Sequence, residues 1–257
     1  MSKQPWELRD SDEREADTKP TFIIFCEDEV SEPVYFKYFE TSKIKVNPVK
    51  KQYSGMKHVL KAIERCKDDE LMKYNEKGEL ELAGEQVHIW CVFDMDLDPN
   101  NESRDNISFD EGIQLAERKG IKVAWSNDAF ELWILLHFNE INPDLPENKL
   151  RQTYYDNLTQ IFRNLPDKNE DLTKALQHAS FGYKRDLKRE SKFRYIVRPE
   201  IIPNTSLAIQ RAKALEAHYS NDQPNHEKAP CTKVHHLVEA LLLAGGKSTS
   251  ALGLGAV

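Results

Sequence analysis

The sequence predicts an α/β fold, with a mostly parallel sheet flanked by helices and a helical C-terminal portion. Two observations carry this. The runs TFIIFC and VHIWCVF are apolar throughout, without the alternation of a half-solvated strand, and so read as strands buried on both faces. Each is followed by acidic residues and then by a helical period, and alternating β and α units of this kind build parallel sheets covered on both sides.

Residues 1–19 are rich in charge and poor in apolar groups, too little to offset chain entropy, and are expected to form a mobile arm. The first strand follows at Thr21, with Glu27 at its C-terminal end. Ser31, Glu32 and Pro33 form a plausible cap and first turn for a helix carrying Val34, Tyr35, Phe36 and Phe39. IKVNPV supplies a second strand, and Ser54 with Gly55 opens a helix with Met56, Val59, Leu60 and Ile63 at 3.6-residue spacing. A polar stretch follows and reads as a surface excursion. VHIWCVF is the strongest strand in the chain and ends in Asp94, Asp96 and Asp98. Ser108 with Glu111 suggests a capping box for a helix stopping at Gly120, and IKVAW gives a fourth strand before the helix FELWILLHF.

Beyond residue 143 strand signals stop, and helices are expected near 149–163, 170–180, 205–219 and 232–244. The predicted organisation is an arm (1–19), an α/β core (20–142), a helical portion packed on it (143–244) and a flexible tail (245–257).

Composition narrows the classes of function. The 257 residues carry 36 Lys and Arg against 43 Asp and Glu, a formal net charge of -7, which argues against a surface coated all over in nucleic acid. Cys26, Cys66, Cys91 and Cys231 stand singly, without C-x2-C pairs, as expected of a reduced, cytoplasmic protein. No stretch approaches the about 20 apolar residues that span a bilayer.

In open parallel sheets ligands bind beyond the C-terminal strand ends. Glu27, Asp94 and Asp96 fall there, and Asn127 and Glu131 follow the fourth strand. Residues i and i+2 on an extended segment project to one side, so Asp94 and Asp96 can aim at one point. Oxygen-only ligands select Mg2+ or Mn2+, and crowded carboxylates repel without a counter-charge. The alternative is solvated loop acids or helix caps. Glu131, in a helix apolar on most sides, needs a cation, a partner or a proton, and is expected in the metal site or just behind it, with Asn127 capping the helix or orienting a ligand.

These residues resemble a known family. FCEDEVSEPVYF resembles the C-E-G-x-x-T-E-P-x-Y-F that opens RloB-like proteins, VFDMDLD their V-x-D-x-D, SNDAFELWILLHF their S-N-P-x-F-E-x-W-x-L-L-H-F, and APCTKVHHLVEAL their N-P-S-T-x-V-x-x-L-V-x-x-L. The resemblance implies a TOPRIM-like core in which Glu27, Asp94 and Asp96 bind Mg2+ (or Mn2+) for phosphodiester hydrolysis; from its own position Glu131 reads as a further catalytic residue, with Asp98 and Asn127 supporting. The resemblance further implies a nuclease of bacterial anti-phage defence acting on DNA, tRNA or another RNA beside an ABC-type or OLD-type ATPase. A non-catalytic metal- and nucleic-acid-binding module that signals to such a partner is the alternative, and a homo-oligomer stays open. Asp28 and Asp128 depart from the family pattern, standing where glycine and proline are usual.

One segment is basic. FGYKRDLKRESKFRYIVRP gathers Lys184, Arg185, Lys188, Arg189, Lys192 and Arg194, suited to phosphate contacts, with Tyr183, Phe193 and Tyr195 as rings on which bases could stack. A solvated face laced with ion pairs is the bland alternative. Other features are declined. Gly246, Lys247 and Ser248 lack the first glycine of a P-loop, since position 241 is Leu. His235 and His236, with Cys231 at i-4 from His235, have metal-compatible spacing but no further ligand nearby in sequence. His137 reads as a buried histidine bonded to backbone, and Trp90, Trp125 and Trp133 as core.

Overall fold

A computed structural model describes residues 19–50, 53–96 and 102–247. The arm, the tail beyond 247 and Asp98 lie outside the described residues.

The elements run β1 (Thr21–Cys26), α1 (Ser31–Lys37), β2 (Lys45–Lys50), α2 (Gly55–Asp68), β3 (Met72–Tyr74), β4 (Leu80–Leu82), β5 (Val87–Asp94), α3 (Glu102–Arg118), β6 (Lys122–Asn127) and α4 (Glu131–Leu136). The C-terminal portion adds α5 (Arg151–Asn164), α6 (Glu170–Leu176), α7 (Glu190–Lys192), α8 (Arg198–Ile201), α9 (Thr205–His218), β7 (Cys231–Thr232) and α10 (Val234–Ala244). The main sheet has the order β2-β1-β5-β6-β7, parallel except for the antiparallel β6-β7 pair.

The buried runs place alternate side chains on opposite faces. Ile24, Cys26 and Val92 pack beneath α1, α4 and the C-terminal helices, whereas Phe25, Cys91 and Phe93 meet α2 and α3. Both faces are therefore dry, which is why these strands are continuously apolar. Trp90, Trp125 and Trp133 are buried, as the sequence suggests. His137 is too: Trp133 carbonyl oxygen lies 2.9 Å from its Nδ1.

Several local readings are corrected. Ser31 is the first helical residue rather than the cap; Asp28 Oδ1 accepts from the amides of Val30 (2.5 Å) and Ser31 (3.2 Å) instead. Ser108 and Glu111 form no capping box, because α3 already begins at Glu102, and Ser108 Oγ accepts from the Met56 amide at 3.3 Å. The polar excursion contains the β3-β4 hairpin. Strand structure does not stop at 143, since β7 extends the sheet edge beside β6. Its two residues carry too little pattern for periodicity to register, and tertiary pairing decides them. Short π-helical turns at Tyr183–Leu187 and Phe193–Val197 occupy the basic segment.

Candidate functional site

Parallel pairing sets the C-terminal ends of β1, β5 and β6 side by side. Cys26 is opposite Val92 and Asp94 opposite Ser126, so the residues that follow β1 and end β5 are neighbours. The Glu27 amide continues the ladder to Val92 carbonyl oxygen (3.1 Å), and its Oε2 accepts from the Asp94 amide at 2.8 Å. Asp96 lies beyond the strand at φ 49°, so it reaches the cluster through a left-handed turn and not by strand alternation. It hydrogen-bonds the Glu27 carboxyl.

Burial and repulsion dominate the electrostatics. Burial, then Asp94 and Asp96, push the Glu27 carboxyl up to about 10. The Asp94 carboxyl is also held well above its ordinary range, by burial first and then by Asp96 and Glu131, and its Oδ1 is buried with no hydrogen bond among the described residues. An orphaned carboxyl oxygen facing like charges is costly, and a divalent cation is one way to satisfy it.

Glu131 opens α4, is 1% exposed, and acts on Asp94 electrostatically, so the structure brings it to the cluster as the sequence suggests. Lys188 Nζ lies 2.7 Å from its Oε1 and 3.2 Å from Asp28 Oδ2. Burial opposes the Lys188 charge, yet Glu131 and Asp28 hold its pKa above the ordinary lysine value. Asn127 neither caps α4 nor points its amide nitrogen to the acids: Nδ2 donates to Asn225 (3.2 Å) and His226 (2.8 Å) carbonyl oxygens. It ties down the loop before β7 because that loop's carbonyls lie beside the end of β6.

Two participants are residues that the sequence does not assign to the site. Glu32 is fully buried, accepts from the Asp28 amide at 3.3 Å, and is held well above its ordinary pKa by burial, Asp94, Asp28 and Glu27. Its place in the E-P-x-Y-F motif was the available signal. Arg151, the first residue of α5, grips Asp128 through Nε (3.1 Å to Oδ2) and Nη2 (2.8 Å to Oδ1), and its Nη2 lies 2.5 Å from Asp96 Oδ1. Burial disfavours its charge, but Asp128, Asp96 and Asp94 raise its pKa overall. No local pattern marks this arginine; only the need of buried acids for a cation could have suggested one. Asp28 and Asp128, the departures from the family pattern, are thus spoken for: Asp28 caps α1 and meets Lys188, and Asp128 anchors Arg151.

A prediction arises here. Arg151→Lys keeps the charge but loses the planar fork, and with Asp128 only 4% exposed it is expected to cost roughly 2–3 kcal/mol. Denaturant unfolding checks it, and in an Asp128→Asn background the same change should cost under about 1 kcal/mol.

The basic segment is less free than its composition suggests. Arg185 pairs with Asp186 (2.7 Å), Lys192 with Asp171 (2.9 Å), and Arg194 with Glu190 (2.7 Å, i,i+4). Lys184 and Arg189 are exposed, and Lys184 Nζ stands 5.2 Å from the Tyr155 ring centre. Tyr183 and Phe193 are fully buried and cannot stack on bases; Tyr195, 62% exposed, can. The expectation of three stacking rings is corrected, because the helical turns direct two of them into the core.

A cleft of about 560 Å³ beside Trp90, Trp125 and Lys122 is lined by one carboxyl, Glu117, and holds no comparable cluster.

Fold and site together define an α/β protein with an acidic cluster gathered at the ends of parallel strands and countered by two internal cations. A family model described as RloB-like protein matches residues 22–241, and the chain belongs to that family. No curated protein and no solved structure matches it. Among the described residues no helix is long and apolar enough to cross a membrane.

Proposed function

We propose that this protein is a metal-dependent, TOPRIM-type nuclease that hydrolyses phosphodiester bonds. The observation that carries the reading is the placement of Glu27 and Asp94 at neighbouring strand ends with Asp96 just beyond, together with an orphaned carboxyl oxygen on Asp94. An oxygen-only donor set of this kind fits Mg2+ or Mn2+, held by Glu27, Asp94 and Asp96. Such an ion supplies Lewis-acid polarisation of the phosphate and compensates charge that builds up on it. The chain does the rest. Glu27, placed by its hydrogen bond from the Asp94 amide, would face both the ion and an attacking water and could accept a proton from that water. Arg151, with a third of its side chain exposed, can present its guanidinium to a phosphate oxygen while Asp128 fixes its orientation. Lys188 holds Glu131 in place behind Asp94 through its ion pair. A role in anti-phage defence and gating by an ABC-type or OLD-type ATPase belong to the same proposal and rest on family resemblance.

A second reading, a binding module without catalysis, is favoured by one feature: Arg151 and Lys188 already neutralise part of the cluster. Incubation of the full chain with labelled duplex DNA, single-stranded DNA and tRNA in Mg2+ or Mn2+ separates the two. Cleavage that stops with EDTA and in Asp94→Ala supports the nuclease; binding without cleavage supports the module.

Substrate contact has its own test. Reversing the exposed Lys184 and Arg189 to Glu is expected to weaken nucleic-acid binding and reduce the salt slope by about 2. An unchanged slope would leave these two residues as an ordinary solvated face.

A further inference from the structure

The chain carries another ligand cluster, distinct from the acids at the strand ends. Glu216 on α9 faces the first turn of α10, where His235 and His236 are adjacent. Their Nε2 atoms lie 2.8 and 3.0 Å from the same oxygen, Glu216 Oε2. Among the described residues this is the group in which three potential ligand atoms all fall within 4.8 Å of one another. Tetrahedral zinc with bonds near 2.0–2.1 Å sets neighbouring ligand atoms roughly 3.3 Å apart, a few tenths of an ångström wider than the two His–Glu distances here.

His235 supplies the second argument. Its side chain is fully buried, and Thr232 carbonyl oxygen lies 3.2 Å from Nδ1, which assigns the ring proton to that nitrogen. Nε2 is then a bare lone pair. Among the described residues it makes no hydrogen bond, although a carboxylate oxygen stands 2.8 Å away. Two acceptors held so close repel unless something positive lies between them.

We propose that Glu216, His235 and His236 form a site for Zn2+ or a similar transition-metal ion. Two imidazoles and a carboxylate are the donors that zinc favours over magnesium, and three protein ligands leave one position open. That position faces a cleft also lined by Tyr219, Ser220 and Asn221. The Nδ1 contact of His235 to Thr232 is the outer hydrogen bond that fixes a ligating ring. Lys233 meets the other oxygen of Glu216, Oε1, and leaves Oε2 to the imidazoles. Cys231 takes no part: it is buried among the side chains facing α2 and α3, including Trp125. In the motif N-P-S-T-x-V-x-x-L both histidines occupy unspecified positions, so the family resemblance does not assign them, and the site stands apart from the nuclease reading.

The test uses the full chain, stripped of metal and titrated with Zn2+ against a chromophoric chelator. A tight equivalent is expected in the parent and retained in Asp94→Ala, with at least tenfold weaker binding of that equivalent in His236→Ala and in Glu216→Gln. His236 is nearly half exposed, so its truncation leaves the fold intact. Co2+ should give the visible absorption of a four-coordinate site in the parent and lose it in His236→Ala. Equal zinc affinity in parent and His236→Ala overturns the proposal, as does loss confined to Asp94→Ala, which assigns the ion to the strand-end acids. Absence of zinc binding leaves an ion-pair cluster around Glu216 and also overturns it.

Discussion

Glu27→Gln is expected to raise the melting temperature of the metal-free protein at pH 8 by about 10 °C, to leave it nearly unchanged at pH 5, and to abolish cleavage. The substitution keeps an acceptor for the Asp94 amide, now 2.8 Å from Glu27 Oε2, and removes a buried acid. The sign follows from linkage. The carboxyl titrates near 4.5 when unfolded and near 10 when folded, so between those values the folded state binds more protons. Stability from this group is fully present below the unfolded value and declines as pH rises toward the folded one. At pH 8 the chain must hold a proton that the unfolded state has released. At about 1.4 kcal/mol per pH unit, discounted for a half-buried group, the burden is on the order of a few kcal/mol. One kcal/mol is worth roughly 2–4 °C in a chain of this size. The parent should therefore lose stability from pH 5 to 9 in EDTA while the variant does not, and Mg2+ should stabilise the parent alone. Identical pH profiles for the two proteins would remove Glu27 from the cluster's electrostatics.

The second large effect concerns Lys188. Lys188→Met is expected to destabilise by about 3 kcal/mol, because it strands the carboxyl of Glu131, which is 1% exposed, and removes the cation beside Asp28. That corresponds to a fall of roughly 6–12 °C. The double variant Lys188→Met with Glu131→Gln should recover most of the loss, since the stranded charge is gone. A single-variant cost below about 0.5 kcal/mol would mean that solvent already screens the pair. Charge reversal at Lys188 is accordingly a poor probe of nucleic-acid contact, for it disturbs the acidic cluster directly. Lys184 and Arg189 are the residues on which that question turns.

Much of the fold was legible in local pattern. The apolar runs of β1 and β5 announce two-sided burial, the acids at their ends announce a site, and Gly120, at φ 71°, marks the stop after α3. Glu131 was legible by contradiction, as a lone acid in a helix that is otherwise apolar.

Legibility failed where partners are distant in the chain. Arg151 is 23 residues from Asp128, and Lys188 meets Glu131 from a segment whose composition resembles a nucleic-acid face. The same holds for β7 and for Asn127, whose amide nitrogen serves the loop at 225–226. Sequence by itself determined which faces had to be buried and that the strand ends carry acids, because both follow from spacing along a strand or helix. Only the tertiary structure decided which cations answer those acids, which aromatic rings of the basic segment stay in solvent, and that Glu216 meets two histidines, because long-range charge pairing leaves no period in the chain.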